Sequence, residues 1–342
     1  MRKYQVFLCF SDTQRESDIL PTLAAVNSLL GAAHQTQFTP VENHPCYSFT
    51  FKHDDMKEKA LRYKLTQMLS GKNVDYLLST TDRLKQKYRL AIFVRTSLVF
   101  GAADVMIQDV DGTLLDAECI DEVAREAGVV DQVAKLTKKA MEEDWDFTQA
   151  LRERLALVEG LPEEKLEEVF SRLLLKKGVA SLVKTLKENG IQTAMVSGGF
   201  TYFTDRIAAR LGFDYAFANV LEISGGKLTG KSLPPVVDGK MKLKVLEALC
   251  KRLGCTLSQS IAMGDGSNDK FMVGNAGLGV AFHAKTILKQ HTPHHVDHSP
   301  MNFLCHFLGY EPSQTSSLDA AISKHPTVKG ADLIGLSDLI AL

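Results

Sequence analysis

Asp109-Val110-Asp111-Gly112-Thr113 is the stretch that decides the fold. It follows Ala103-Asp104-Val105-Met106-Ile107, an apolar run that reads as a buried strand. Two carboxylates two residues apart, on the loop where a parallel strand ends, stand where α/β folds place their chemistry. One suits a nucleophile and the other an acid and base: Asp109 attacks phosphorus, while Asp111 protonates the leaving oxygen and then deprotonates water. Far downstream, Ile261-Ala262-Met263 leads into Gly264-Asp265-Gly266-Ser267-Asn268-Asp269. That is a second strand ending in acidic residues, and the two loops together offer enough carboxylate oxygen to hold Mg²⁺.

Between these loops lie the other parts that phosphoryl chemistry needs. Ser197-Gly198-Gly199 follows the strand Thr193–Val196 and precedes a helix. A hydroxyl and free backbone N–H groups at such a tip suit a phosphate. Lys242, in a helix after Gly239, supplies the positive charge that a transferring phosphoryl group requires beside the metal. Glu118 and Arg154 read as a pair for a zwitterion, the carboxylate for an ammonium and the guanidinium fork for a carboxylate.

Around these motifs the chain alternates strand and helix from about residue 99, which argues for a mostly parallel sheet. The alternation is interrupted after Asp109 by helical segments at Ile120–Gly128, Val130–Met141, Phe147–Val158 and Glu163–Leu175, a helical cap over about 118–178. Residues 1–98 read as a separate module: strand Tyr4–Phe10, helix Ile19–Ala32, strands Gln35–Glu42 and Tyr47–His53, helix Asp55–Leu69, a polar stretch with a further helical turn, and a closing strand Arg89–Val94. That β-α-β-β-α-β order suggests an α+β ferredoxin-like sandwich. Residues 99–310 carry the chemistry. The tail 311–342 begins with a linker composition, Pro-Ser-Gln-Thr-Ser-Ser.

The 342 residues are 45% hydrophobic with a net charge of −1, so nothing advertises nucleic acid or an anionic membrane surface. No apolar stretch approaches the ~20 residues that span a bilayer. The basic start of the chain has no small-residue cleavage site and reads as a first strand rather than a signal peptide. Six scattered cysteines without a Cys-x-x-Cys pair point to reduced core residues and a cytoplasmic location.

Two motifs are set aside. Gly225 to Ser232 matches G-x-x-x-x-G-K-S, but Leu233-Pro234-Pro235 follows where a nucleotide loop must open a helix. Gly225-Gly226 reads better as a hairpin turn. The tract from His291 to His298 lacks regular spacing, is broken by a proline, and reads as a surface loop rather than a metal site.

Taken together, these residues resemble the haloacid dehalogenase superfamily and, within it, the phosphoserine phosphatases. The superfamily elements are Asp109-Val-Asp111-Gly-Thr113, Ser197, Lys242 and Gly264-Asp265-x-x-x-Asp269. The narrower match rests on Glu118-Cys-Ile-Asp121-Glu122, Ala140-Met141, Leu151-Arg152-Glu-Arg154, Val196-Ser197-Gly-Gly-Phe200, Phe217-Ala-Asn219, Gly226-Lys-Leu-Thr-Gly230 and His283-Ala-Lys285. The resemblance implies a Rossmann-like core with a helical cap, and hydrolysis of O-phospho-L-serine as the last step of L-serine synthesis. It implies Mg²⁺ held by the Asp109 carboxylate, the Asp111 main-chain carbonyl and Asp265. Ser197, Gly198 and Lys242 would hold phosphate, with Asn268 and Asp269 supporting the metal and phosphate. Glu118, Met141, Phe147 and Arg154 would line the serine end. Many relatives have serine where this chain has Gly112. The first module resembles amino-acid-binding regulatory folds, which leaves an effector or a homodimer contact open there. The rivals are a sibling phosphatase or phosphotransferase for another small phosphate ester, and an amino-acid sensor with a vestigial site.

Overall fold

The computed structural model describes residues 2–31, 34–41, 44–53, 58–80, 89–94, 100–102, 119–142, 145–175, 178–315 and Leu339. Asp109, Asp111 and Glu118, and the strand expected at Ala103–Ile107, lie outside the described residues.

The first module runs β1 (Arg2–Phe10), α1 (Glu16–Leu30), β2 (His34–Val41), β3 (His44–His53), α2 (Glu58–Leu69) and β4 (Val74–Thr80). Its antiparallel sheet has the order β2-β3-β1-β4, as the ferredoxin-like reading expects. Alternation along β1 explains the unbroken apolar run Val6–Phe10. Val6, Leu8 and Phe10 pack with Ile19, Leu23, Leu61 and Leu65 from the two helices. Phe7 and Cys9 point to the other face and join the core of the second sheet. A strand buried on both sides needs no polar positions.

One strand is corrected. Leu90–Val94 (β5) does not close this module; β4 does. Val74–Thr80 falls where a polar stretch with a helical turn is expected, but it is a strand, and Asp75 within it is buried with its carboxylate engaged. The Asp75 oxygens accept from the backbone N–H of Asp297 at 2.8 Å, His298 at 2.7 Å and Ser299 at 2.7 Å, and from Ser299 Oγ at 2.6 Å. Arg62 on α2 adds a bond to the Pro293 carbonyl at 3.2 Å, and Phe7 meets Phe307 edge-on with ring centroids 5.4 Å apart. These contacts fasten the module to the larger sheet.

β5 lies at the centre of that larger sheet. Its parallel neighbours are β8 (Gln192–Phe200) on one side and β11 (Ser260–Gly264) on the other. Beyond β11 come β12 (Leu278–Phe282) and the short edge strand β13 (His295–Val296). Beyond β8 come β9 (Tyr215–Ser224) and the antiparallel β10 (Lys227–Leu233). Helices α7 (Val179–Glu188), α8 (Thr201–Leu211), α9 (Gly239–Arg252), α10 (Lys270–Asn275), α11 (Thr286–Lys289) and α12 (Phe303–Leu308) complete this part.

The helical insert holds α3 (Cys119–Glu126), α4 (Val130–Glu142), α5 (Phe147–Ala156) and α6 (Lys165–Arg172). The last helix ends at Arg172; Leu173–Leu175 (β7) is extended and pairs antiparallel with Phe100–Ala102 (β6). Gly225 and Gly226, at φ +57° and +72°, make the β9–β10 turn, as left-handed pairs do in tight hairpins. That hairpin anchors the insert: Gly160 N–H donates to Leu228 O at 2.8 Å, and Leu228 N–H to Leu161 O at 2.9 Å.

The histidine tract is less of a surface loop than expected. His295 forms β13, His294 packs against Phe307, and the 297–299 backbone serves Asp75. The tail begins docked on α7, where Ser313 N–H donates to Thr185 Oγ1 at 2.8 Å and Ser313 O accepts from Ser181 Oγ at 2.8 Å. All six cysteines are free thiols and five are buried. Cys9 and Cys46 sit opposite each other with sulfurs 3.3 Å apart. Burial, reinforced by the Cys46 thiol, holds Cys9 well above the usual thiol range. Among the described residues, no helix is long and apolar enough to cross a membrane.

Candidate active site

The carboxyl ends of β8 and β11 flank that of β5, the position where open α/β sheets bind ligands. At the end of β8 the chain leaves the ladder at Ser197-Gly198-Gly199. Ser197 is buried, and its Oγ accepts the Gly199 N–H at 2.9 Å, leaving its own proton to donate elsewhere. The loop sits directly beneath the cap. A Cβ on Gly198 would come within 2.9 Å of the Phe147 ring, so only glycine lets the aromatic ring lie on the loop.

At the end of β11, Asp269 organises the second loop. Its Oδ2 accepts the N–H of Asp265 at 3.0 Å and of Gly266 at 2.9 Å. Its Oδ1 accepts from Lys242 Nζ at 2.7 Å, and both side chains are 0% exposed. Lys242 arrives on the first turn of α9, which Asp238 caps by accepting from Met241 N–H at 2.7 Å. Asn268, with its amide turned to suit its neighbours, donates to Asp269 Oδ1 at 3.1 Å and accepts from Lys242 Nζ at 3.2 Å. Two glycines permit this crowding. A Cβ on Gly264 would fall 2.6 Å from that of Asp269, and one on Gly239 would fall 2.6 Å from the Asn268 carbonyl oxygen.

The third loop, after β12, reaches the same place: Lys285 N–H donates to the Asp265 carbonyl at 2.9 Å. The buried Asp265 carboxylate is a hard oxygen donor at a strand tip, which fits a hard divalent cation. Asp269 is occupied by the lysine and by the loop amides, so its part is to hold the site together. Among the described residues, no group of three or more His, Cys, Asp or Glu is placed to hold a metal ion.

In the cap, Phe147, Leu151 and Arg154 share one face of α5 by their spacing. Arg154 is 8% exposed, and its Nε donates to the Ala150 carbonyl of its own helix at 3.1 Å. Met141 lies in the last turn of α4. The structure thus joins Ser197 and Gly198 with Phe147, and Lys242 with Asp265, Asn268 and Asp269. Gly239 and Gly264, which the sequence offers as the start of the Lys242 helix and of the Gly264-Asp265-x-x-x-Asp269 element, also belong to the site.

Residues 107–272 match the model of the haloacid dehalogenase-like hydrolases. A phosphoserine phosphatase of Archaeoglobus fulgidus is 48% identical over 185 residues, 54% of this chain and 54% of the relative; the chain spans about half the length of that relative. A HAD family hydrolase from Salmonella enterica serovar Typhi has a similar crystal structure, with a TM-score of 0.75 and 26% identity over 90% of this chain and 98% of its own. A structure described as a phospho-aspartyl intermediate analogue of phosphoserine phosphatase is 40% identical, with a TM-score of 0.53, covering 62% of this chain and 94% of that one. The sheet order, the helical insert and these matches agree: the chain belongs to the haloacid dehalogenase superfamily of hydrolases and, within it, to the phosphoserine phosphatase family.

Proposed function

We propose that the chain hydrolyses O-phospho-L-serine to L-serine and phosphate in two displacements. The Asp109 carboxylate attacks phosphorus, and Asp111 gives its proton to the departing serine oxygen. Asp111 then takes a proton from water, which attacks the phosphoryl group on Asp109 and frees the enzyme. Ser197 Oγ, the Gly198 N–H and Lys242 bind the phosphoryl oxygens; Asn268 and Asp269 keep Lys242 in place. Asp109, the Asp111 carbonyl and Asp265 would hold Mg²⁺, which neutralises negative charge on the transferring group. In the cap, Arg154 pairs with the substrate carboxylate and Glu118 with its ammonium, while Met141 and Phe147 exclude water around them.

The observation that carries this reading is the buried Lys242–Asp269 pair beside the loop of Ser197. A buried ion pair adds little net stability compared with apolar packing, so its position among three strand-tip loops is best accounted for by an anion that it serves. The phospho-aspartyl analogue of a 40% identical relative supports the covalent route. L-Serine synthesis, ending in this hydrolysis, and a cytoplasmic location with reduced thiols complete the proposal. Among the described residues, no feature favours an amino-acid effector or a second copy on the first module.

Phosphate release from phosphoserine, phosphothreonine, phosphohomoserine and sugar phosphates tests it, with Mg²⁺, with EDTA, and after Mg²⁺ is restored. Phosphoserine should give the highest kcat/KM, abolished by EDTA and recovered with Mg²⁺. Preference for another ester would assign the site to a sibling phosphatase. No turnover of any ester would point to a vestigial site.

A further inference from the structure

Asn219 has no part in the chemistry described so far, yet its side chain is completely buried in the interior of β9, where asparagine is disfavoured. The pairing of β8 with β9 supplies the reason. Val196 pairs with Phe217, and the next pair is Phe200 with Asn219. Ser197, Gly198 and Gly199 therefore face Ala218 alone, and the surplus chain is pushed out of the ladder. Its polar backbone groups then need other partners.

Asn219 Nδ2 donates to the Gly198 carbonyl at 2.8 Å. The N–H of the same peptide unit, that of Gly199, is bound by Ser197 Oγ at 2.9 Å. This peptide plane is thus fixed at both ends. The other end of the amide reaches a different segment: Asn219 Oδ1 accepts the Val237 N–H at 2.8 Å. Val237 precedes Asp238, the residue that caps α9 and sets the first turn bearing Lys242. One side chain therefore ties the loop of Ser197 to the start of the helix of Lys242. The task needs a donor and an acceptor in one rigid plane, which an amide has and a carboxylate lacks.

We infer that Asn219 is a positioning residue for phosphate: it fixes the Ser197-Gly198-Gly199 loop and the start of α9 at the separation that binds the phosphoryl oxygens. This rests on the phosphate role proposed for that loop and for Lys242.

The test is Asn219→Asp, which keeps shape and acceptor but loses the donor. The readouts are direct binding of inorganic phosphate in Mg²⁺ by calorimetry, kcat and KM for phosphoserine, and circular dichroism with thermal melting. The variant should fold, bind phosphate about tenfold or more weakly, and lose more in kcat/KM than in phosphate binding. A folded variant with wild-type phosphate affinity, kcat and KM would overturn the inference. If the variant does not fold, Asn219→Ser, smaller and uncharged, takes its place under the same readouts. Failure of both to fold would assign Asn219 to the fold alone and equally overturn it. Should the wild type not hydrolyse phosphoserine, the substrate assignment fails, while the phosphate titration still decides the role of Asn219.

Discussion

Two buried aspartates, Asp269 in the candidate site and Asp75 at the seam between the modules, solve the same problem to different ends. Asp269 accepts two loop amides, the Asn268 side-chain amide and one ammonium. Asp75 accepts three backbone amides and one hydroxyl. The donors at Asp75 are all neutral, so its charge is spent on fastening a loop to β4. At Asp269 a full positive charge is drawn to the tip of a strand, at the same end of the parallel sheet as the Ser197 loop. Burial and hydrogen bonding alone do not separate a working carboxylate from a structural one. The nature of the donors does, together with what else the loop brings near.

The sharpest way to break this comparison is to disrupt each carboxylate's arrangement in turn. Lys242→Ala should lower kcat by roughly 10²–10³-fold, as loss of one preorganised charge on a reacting group does. It should also lower the melting temperature, because Asp269 is left buried without its partner. Wild-type kcat in a folded variant would reduce the Lys242–Asp269 pair to the same status as Asp75. Asp75→Ala should do the reverse. It should cost about 3 kcal/mol of stability, since several buried amides lose their acceptor, read as a fall in thermal or urea midpoint. The kcat/KM of the folded protein should stay within about twofold, and a large loss would tie the seam to catalysis.

The smallest expected effect lies in the cap. Arg154→Ala should change selectivity about tenfold, reducing turnover of phosphoserine more than that of an aryl phosphate without a carboxylate. Equal losses on both substrates would place Arg154 on the phosphate or in the packing of α5.

The same contrast shows what a sequence can reveal. The placement of Ser197, Lys242, Asp265 and Asp269 was legible because polar residue types at strand ends and helix starts mark it. The Gly225-Gly226 hairpin was legible because a left-handed pair has few other uses. β4 was not legible within the polar stretch after α2, where an acidic residue such as Asp75 reads as solvent-facing until its four donors are seen. Leu90–Val94 was legible as a strand but not as the centre of the larger sheet, because five apolar residues look alike in any sheet covered on both faces. Asn219 was quoted only as part of a motif; its burial inside a strand becomes meaningful once the register break beside it is known.

The central claim is that phosphoserine turnover passes through Asp109. Acid quenching of the wild type during turnover in Mg²⁺, followed by proteolysis and mass spectrometry, measures this directly. The account predicts one phosphoryl group on the peptide containing Asp109, absent from Asp109→Asn, with kcat of that variant down by at least ~10³, a barrier rise of about 4 kcal/mol. A phosphoryl group on another residue, or more than a tenth of wild-type activity in Asp109→Asn, would contradict it.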